Sequence, residues 1–155
     1  MNQELIILLG SVLVDALFIS LLAWVSITDV LKRKIPNRAI IVMLIASALS
    51  FVFLIIGGMA WWPYPLGLII GFPFIVFWNK DWLGAGDTKL ILVCGFYLGL
   101  FHGLLMLGLL AGLLLLIRLF NFLKRKSASS KVPLGPFIAL SAAVSLMTNY
   151  LSSNG

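Results

Sequence analysis

Long apolar runs alternate with short polar connections along the chain. The first run extends from about Leu5 to Ile27 and is broken only by Asp15. A polar stretch from Thr28 to Arg38 follows, and a second run covers Ala39 to Met59. Trp61-Trp62-Pro63-Tyr64-Pro65 reads as a turn with the aromatic residues common at bilayer interfaces. A third run, carrying Pro73, reaches Trp78 and is followed by the polar loop Asn79 to Asp87. The last run is about Val132 to Leu151, after the linker Ser127-Ala128-Ser129-Ser130. A helix needs about 20 mostly apolar residues to cross a bilayer, so these runs are read as spans.

Residues 88–120 are too long for one crossing. As a single helix they would extend about 50 Å at 1.5 Å per residue, against a hydrocarbon core of roughly 30 Å. Two short helices turning near Phe101-His102-Gly103 fit better, because they return the cluster Arg118, Lys124, Arg125 and Lys126 to the side that holds Lys89. The expected fold is an all-α membrane protein, a bundle of six transmembrane helices in a single domain over residues 1–155. Lys32, Arg33, Lys34 and Arg38 then fall in the first loop and Lys80 and Lys89 in the third. Arg118, Lys124, Arg125, Lys126 and Lys131 fall in the fifth, and together these are all eleven basic residues. The positive-inside tendency places those three loops in the cytoplasm and both termini on the non-cytoplasmic side.

Composition supports this reading. The chain is 62% apolar and 10% charged, with a mean hydropathy of +1.15. A soluble domain is roughly 45–50% apolar and about 25% charged, so disorder is excluded and a water-soluble globule is disfavoured. The net charge of +6 sits in short clusters between apolar runs, which are orientation signals rather than a nucleic-acid surface. Cys94 is the one cysteine, which excludes an intrachain disulfide and a Cys-pair zinc site. No basic start precedes the first run, so it reads as a retained span rather than a cleaved signal peptide. Gly95, Gly99 and Gly103 recur every four residues, as do Gly108 and Gly112. Small residues so spaced share a helix face and let backbones pack closely.

The few acids carry the candidate chemistry. Glu4 and Asp81 read as solvated charges, one at the start of the chain and one in a loop. Asp15 falls near the middle of the first span, where an ionised carboxylate costs about 2.5–3.5 kcal/mol on insertion scales. It is either functional or an interhelical hydrogen-bonding group, and it lies about half a membrane from the other candidates. Asp29 ends the first span and Asp87 opens the fourth. Singly they read as an interfacial charge and a helix N-cap. Together they stand at one face of the membrane, where two adjacent carboxylates do not easily both ionise. Such a pair can take a proton from water and polarise a carbonyl, as in aspartic proteases. Gly84 and Gly86 beside Asp87 have no side chains to obstruct a substrate backbone. Lys89 either orients substrate or snorkels to the interface. Pro36-Asn37 shapes the turn into the second span. His102 reads as a turn residue on the opposite side of the membrane.

The motifs Gly84-Ala85-Gly86-Asp87-Thr88-Lys89-Leu90 and Asp29 followed by Ile35-Pro36-Asn37 resemble those of the prepilin peptidases, membrane aspartic proteases of the GxGD type. Val132-Pro133-Leu134-Gly135-Pro136-Phe137 resembles the family's stretch before its final span. The resemblance implies catalytic roles for Asp29 and Asp87, no metal and no cofactor. It also implies a type IV prepilin or pseudopilin as the partner, cut at the cytoplasmic face of the inner membrane. The absence of an N-terminal segment with paired cysteines is similar to the short, peptidase-only branch linked to tight-adherence (Flp-type) pili and archaeal-type flagellins. It argues against methyltransferase activity. The competing expectation is a small transporter, channel or pilus-assembly scaffold without catalysis, although no internal repeat of a transporter is evident.

Overall fold

The computed structural model describes residues 3–79, 84–123 and 133–153. Asp81, Lys80, the basic residues 124–126 and 131, the Ser127–Ser130 linker and Val132 lie outside the described residues, as does the side chain of Glu4. All regular structure among the described residues is helical: α1 (Gln3–Lys32), α2 (Asn37–Ile56), α3 (Pro63–Asn79), α4 (Ala85–Leu123) and α5 (Gly135–Ser153). Three stretches are long and apolar enough to cross a membrane, Leu5–Lys32, Asn37–Ile56 and Ala85–Phe120. Pro63–Val76 and Gly135–Thr148 are shorter apolar helices. Leu13, Leu31, Leu115 and Phe122 are among many large apolar side chains left exposed. In water such an extended apolar surface would drive association. The protein is a membrane protein.

Helices α1 and α2 each bury one stripe. On α1 the stripe is Val14, Phe18, Leu22, Val25 and Asp29, the spacing of one face at 3.6 residues per turn. On α2 it is Ala39, Ile40, Met43, Ala46 and Ser47. The segment 88–98 of α4 is buried nearly all round and forms the centre of the bundle. The polar stretch after Ile27 does not end α1. The helix runs on to Lys32, and Arg33 then takes a left-handed conformation (φ 49°) with its N–H donating to Asp29 O at 2.8 Å. That is a common helix stop, built here without glycine. The aromatic turn is also shorter than expected. Pro63, Tyr64 and Pro65 already belong to α3, because proline lacks only an N–H that the first helical turn would leave unpaired.

Among the described residues five helical elements replace the six separate helices expected, since residues 85–123 form one element with a break inside it. The break is at Gly99, with φ 75° and ψ −179°, and not at residues 101–103. His102 accordingly lies within helix rather than in the turn. A Cβ built on Gly103 would lie 3.6 Å from the Gly95 Cα. Residues eight apart on a straight helix are about 12 Å apart, so the chain folds back at Gly99. The glycine repeat therefore does not line a single face: Gly95 and Gly103 meet across the reversal, and Gly99 makes it. Gly108 and Gly112 face open space and do not serve packing within the chain. The conformation at Gly99 is one that only glycine adopts readily, at a cost of about 1–3 kcal/mol for other residues. A Cβ there would also sit 3.3 Å from Pro63 O. Gly99→Ala is expected to lower the unfolding midpoint in detergent micelles by that order, read by intrinsic fluorescence on heating.

Tyr97 ties α4 to α1. Its ring stacks on Phe18 with centroids 3.7 Å apart, and its hydroxyl donates a hydrogen bond to Asp15. Asp15 thus makes an interhelical hydrogen bond, which is how an acid within a span is usually accommodated.

Candidate active site

Four helix ends meet at one end of the bundle. Asp29 lies in the last full turn of α1, on the buried stripe, and is 7% exposed. Its backbone continues into Arg33 and the non-helical residues 34–36, which lead into α2. Pro36 stands at the N-cap of α2 (φ −70°, ψ 127°), and its carbonyl accepts from Ala39 N–H at 3.0 Å. Proline's fixed φ suits that turn, although it precedes the first helical residue rather than occupying it. Asn37 then opens the helix, and its Oδ1 accepts a hydrogen bond from Lys89 Nζ at 3.2 Å. Lys89 thereby joins α4 to α2.

Gly84 caps α4, since its carbonyl accepts from Thr88 N–H at 3.1 Å. Asp87 is therefore in the first turn rather than at the cap, half-buried. Negative charge in a first turn is favoured by the helix dipole. The glycines on either side of Ala85 have different neighbours. A Cβ on Gly84 would lie 2.9 Å from Asp87 Oδ2, so this glycine leaves room for the carboxylate itself. A Cβ on Gly86 would lie 3.0 Å from Ile35 Cβ. The space over Gly86 is taken by Ile35, so this glycine seats α4 on the α1–α2 connection rather than clearing a path for substrate.

The α5 helix completes the site. Gly135 N–H donates to Asp29 Oδ2 at 2.9 Å, a buried hydrogen bond across most of the chain. Leu134, at the cap position, has no side-chain acceptor, and Pro136 has no N–H. The first N–H of a helix has no partner within it, and for Gly135 the acceptor comes from Asp29 on α1. Asp29 and Asp87 come from separate helices to this same end of the bundle, Asp29 bonded to the start of α5 and Asp87 seated over Gly84. The N-termini of α4 and α5, each carrying roughly half a positive charge, face the two carboxylates and offset part of their repulsion. All seven residues singled out in the sequence, Asp29, Pro36, Asn37, Gly84, Gly86, Asp87 and Lys89, gather at this end. Asp15 and His102 do not. Among the described residues no group of three His, Cys, Asp or Glu side chains is placed to hold a metal ion.

Residues 16–120, a stretch that includes both aspartates, match the type IV leader peptidase family. The chain belongs to that family. It is a membrane peptidase, similar in this segment to enzymes that remove leaders from type IV precursors. No curated protein and no solved structure matched it. The family match ends before α5, so Gly135 lies beyond it. The stretch from Val132 to Phe137 stood out in the sequence without a role for any of its residues. The only signal for one was a helix start with no capping side chain of its own.

The Asp29–Gly135 bond separates two substitutions at one position. Asp29→Asn keeps an oxygen that can accept from Gly135. Asp29→Ala removes it, and a hydrogen bond to a charged group is worth about 1.5–3 kcal/mol. The alanine variant is expected to unfold in micelles at a lower temperature than the asparagine variant, as followed by circular dichroism. Equal midpoints would show that the bond contributes nothing to stability.

Proposed function

We propose that this peptidase is an aspartic endopeptidase that removes the short basic leader from type IV prepilins, of the Flp-like class, or from related pseudopilins. The observation that carries the reading is the convergence of Asp29 and Asp87, from α1 and α4, at one end of the bundle. In this mechanism the substrate lies extended across the cytoplasmic mouth, with its apolar helix still in the bilayer. Water held between the carboxylates attacks the scissile carbonyl. The ionised aspartate takes a proton from that water while the protonated one polarises the carbonyl oxygen. No metal or nucleotide takes part, and methyl transfer is not included.

The chain in this reading is a single peptidase domain that crosses the inner membrane six times, with the two limbs of α4 as separate crossings and both termini outside the cytoplasm. The reversal at Gly99 supports it, because it turns Arg118 back toward the end that holds Lys89. The basic residues Lys32, Arg33, Lys34 and Arg38 also flank the aspartates, as expected for a cytoplasmic face. Gly84, Gly86, Lys89, Pro36 and Asn37 shape the site around the dyad.

The deciding experiment is co-expression with a candidate prepilin, read by the mass of the product. Wild type should release a pilin shortened by its leader, whereas Asp87→Ala should leave the precursor intact. A transporter or scaffold would leave the precursor uncut in both. Labelling that put positions 29 and 87 on opposite leaflets would also overturn the dyad.

A further inference from the structure

We propose that Gly135 is a positioning residue of the peptidase, and that the first N–H of α5 sets the Asp29 carboxylate in its working orientation. The inference rests on the two-aspartate reading given above.

Two independent observations meet at this residue. The first is the buried hydrogen bond from Gly135 N–H to Asp29 Oδ2, at 2.9 Å. A carboxylate on a single side chain can still turn about its χ angles, and this bond fixes one oxygen. Oδ2 is then committed to α5, and Oδ1 is left for the water. The second is steric. A Cβ on Gly135 would lie 2.8 Å from Asp29 Oδ2, 2.9 Å from its Cβ and 3.1 Å from its Cγ. The whole aspartate side chain rests on the bare Cα of residue 135. Glycine is needed here for close approach, and not for an unusual backbone angle, since Gly135 has no positive φ. The next residue reinforces the assignment. Pro136 has no N–H to compete for the carboxylate, and its fixed φ suits the first turn of a helix. A helix 106 residues away in sequence thus acts on Asp29 through one amide and one missing methyl group.

The test uses the full-length protein in micelles with a prepilin that wild type cleaves. Gly135→Ala keeps the N–H but pushes Asp29 aside. It is expected to lower kcat about 100-fold, the scale of a misplacement of about 1 Å, with KM unchanged within about twofold. A helix cap with only a structural role would change the folded fraction and the unfolding midpoint, not kcat per folded molecule. Because alanine could also impair folding, a second variant replaces Gly135 with glycolate, turning the amide into an ester. It removes the N–H and adds no bulk. A roughly tenfold or larger fall in kcat is expected, the scale of one hydrogen bond to a charged group. Wild-type kcat in the folded ester variant would overturn the inference and leave the peptidase reading standing. If wild type cleaves no prepilin, both fall. An arm that needs no turnover follows the Gly135 amide by nitrogen-15 NMR. Asp29→Ala should move its signal, and an unmoved signal would refute the contact.

Discussion

Asparagine in place of Asp29 or Asp87 is expected to stop leader cleavage while the protein still inserts, folds and elutes as a single species. A general acid–base group contributes roughly 10²–10⁴-fold to a rate. In this dyad one carboxylate serves the water and the other the carbonyl, and neither step proceeds without its partner, so losing either should remove about 10³-fold or more. The double variant should be little worse than either single one, because groups that act as a unit are strongly non-additive. Asp29→Asn preserves an acceptor for Gly135 and Asp87→Asn is nearly the same size, so neither substitution disturbs packing. The measurement is single-turnover cleavage of a purified prepilin, followed by mass. Substantial turnover in either folded variant would refute the mechanism.

The largest loss of stability is expected at Gly67, on α3. A Cβ there would lie 1.9 Å from Gly95 O, 2.7 Å from Gly95 C and 3.1 Å from Gly99 C. In return, a Cβ on Gly95 would lie 2.5 Å from Gly67 O. These neighbours are backbone atoms and cannot yield by changing rotamer. Small residues at such contacts let membrane helices approach closely, where packing and not the hydrophobic effect holds them together. Overpacking costs about 1–3 kcal/mol and sometimes more, and a backbone-to-backbone clash belongs at the upper end. Gly67→Ala should therefore lower stability by about 3 kcal/mol, or roughly 6–12 °C in unfolding midpoint for a chain of this size. Gly108→Ala, where a Cβ meets nothing within 4 Å, is the control and should be neutral or slightly stabilising. Cleavage should fall with stability in Gly67→Ala, because the contact sets the segment of α4 that begins beside Asp87. Equal midpoints for the two variants would mean that α3 and α4 are not packed this closely.

Much of the site was legible because its signals are local. An acid bordering a run of apolar residues is conspicuous, and Asp29 and Asp87 each stand beside a turn made of Pro, Gly and Asn. The 3.6-residue stripe through Val14, Phe18, Leu22 and Val25 carries Asp29 inward with the core. Charge placement also led to the expectation that residues 88–120 reverse. The position of that reversal was not legible, since any of several glycines could supply it. Only the packing of Gly95 against Gly103, with Pro63 alongside, selects Gly99. Helix ends were misjudged for a related reason. Polar residues after Ile27 look like a loop, but helix propensity and the stop at Arg33 keep Asp29 inside the last full turn of α1.

By itself, then, the sequence determined an apolar membrane chain with two acids bordering its spans, in motifs that resemble those of a peptidase family, because apolar length, charge clusters and motif spacing are properties of neighbouring residues. Tertiary structure alone decided what those acids touch. The use of Gly86 as a seat for Ile35, the link from Lys89 to Asn37, and the bond from Gly135 to Asp29 all join segments distant in the chain. The physical reason is that a glycine or a backbone amide carries no mark of its partner. Which helix comes near enough to use it is settled only when the bundle closes.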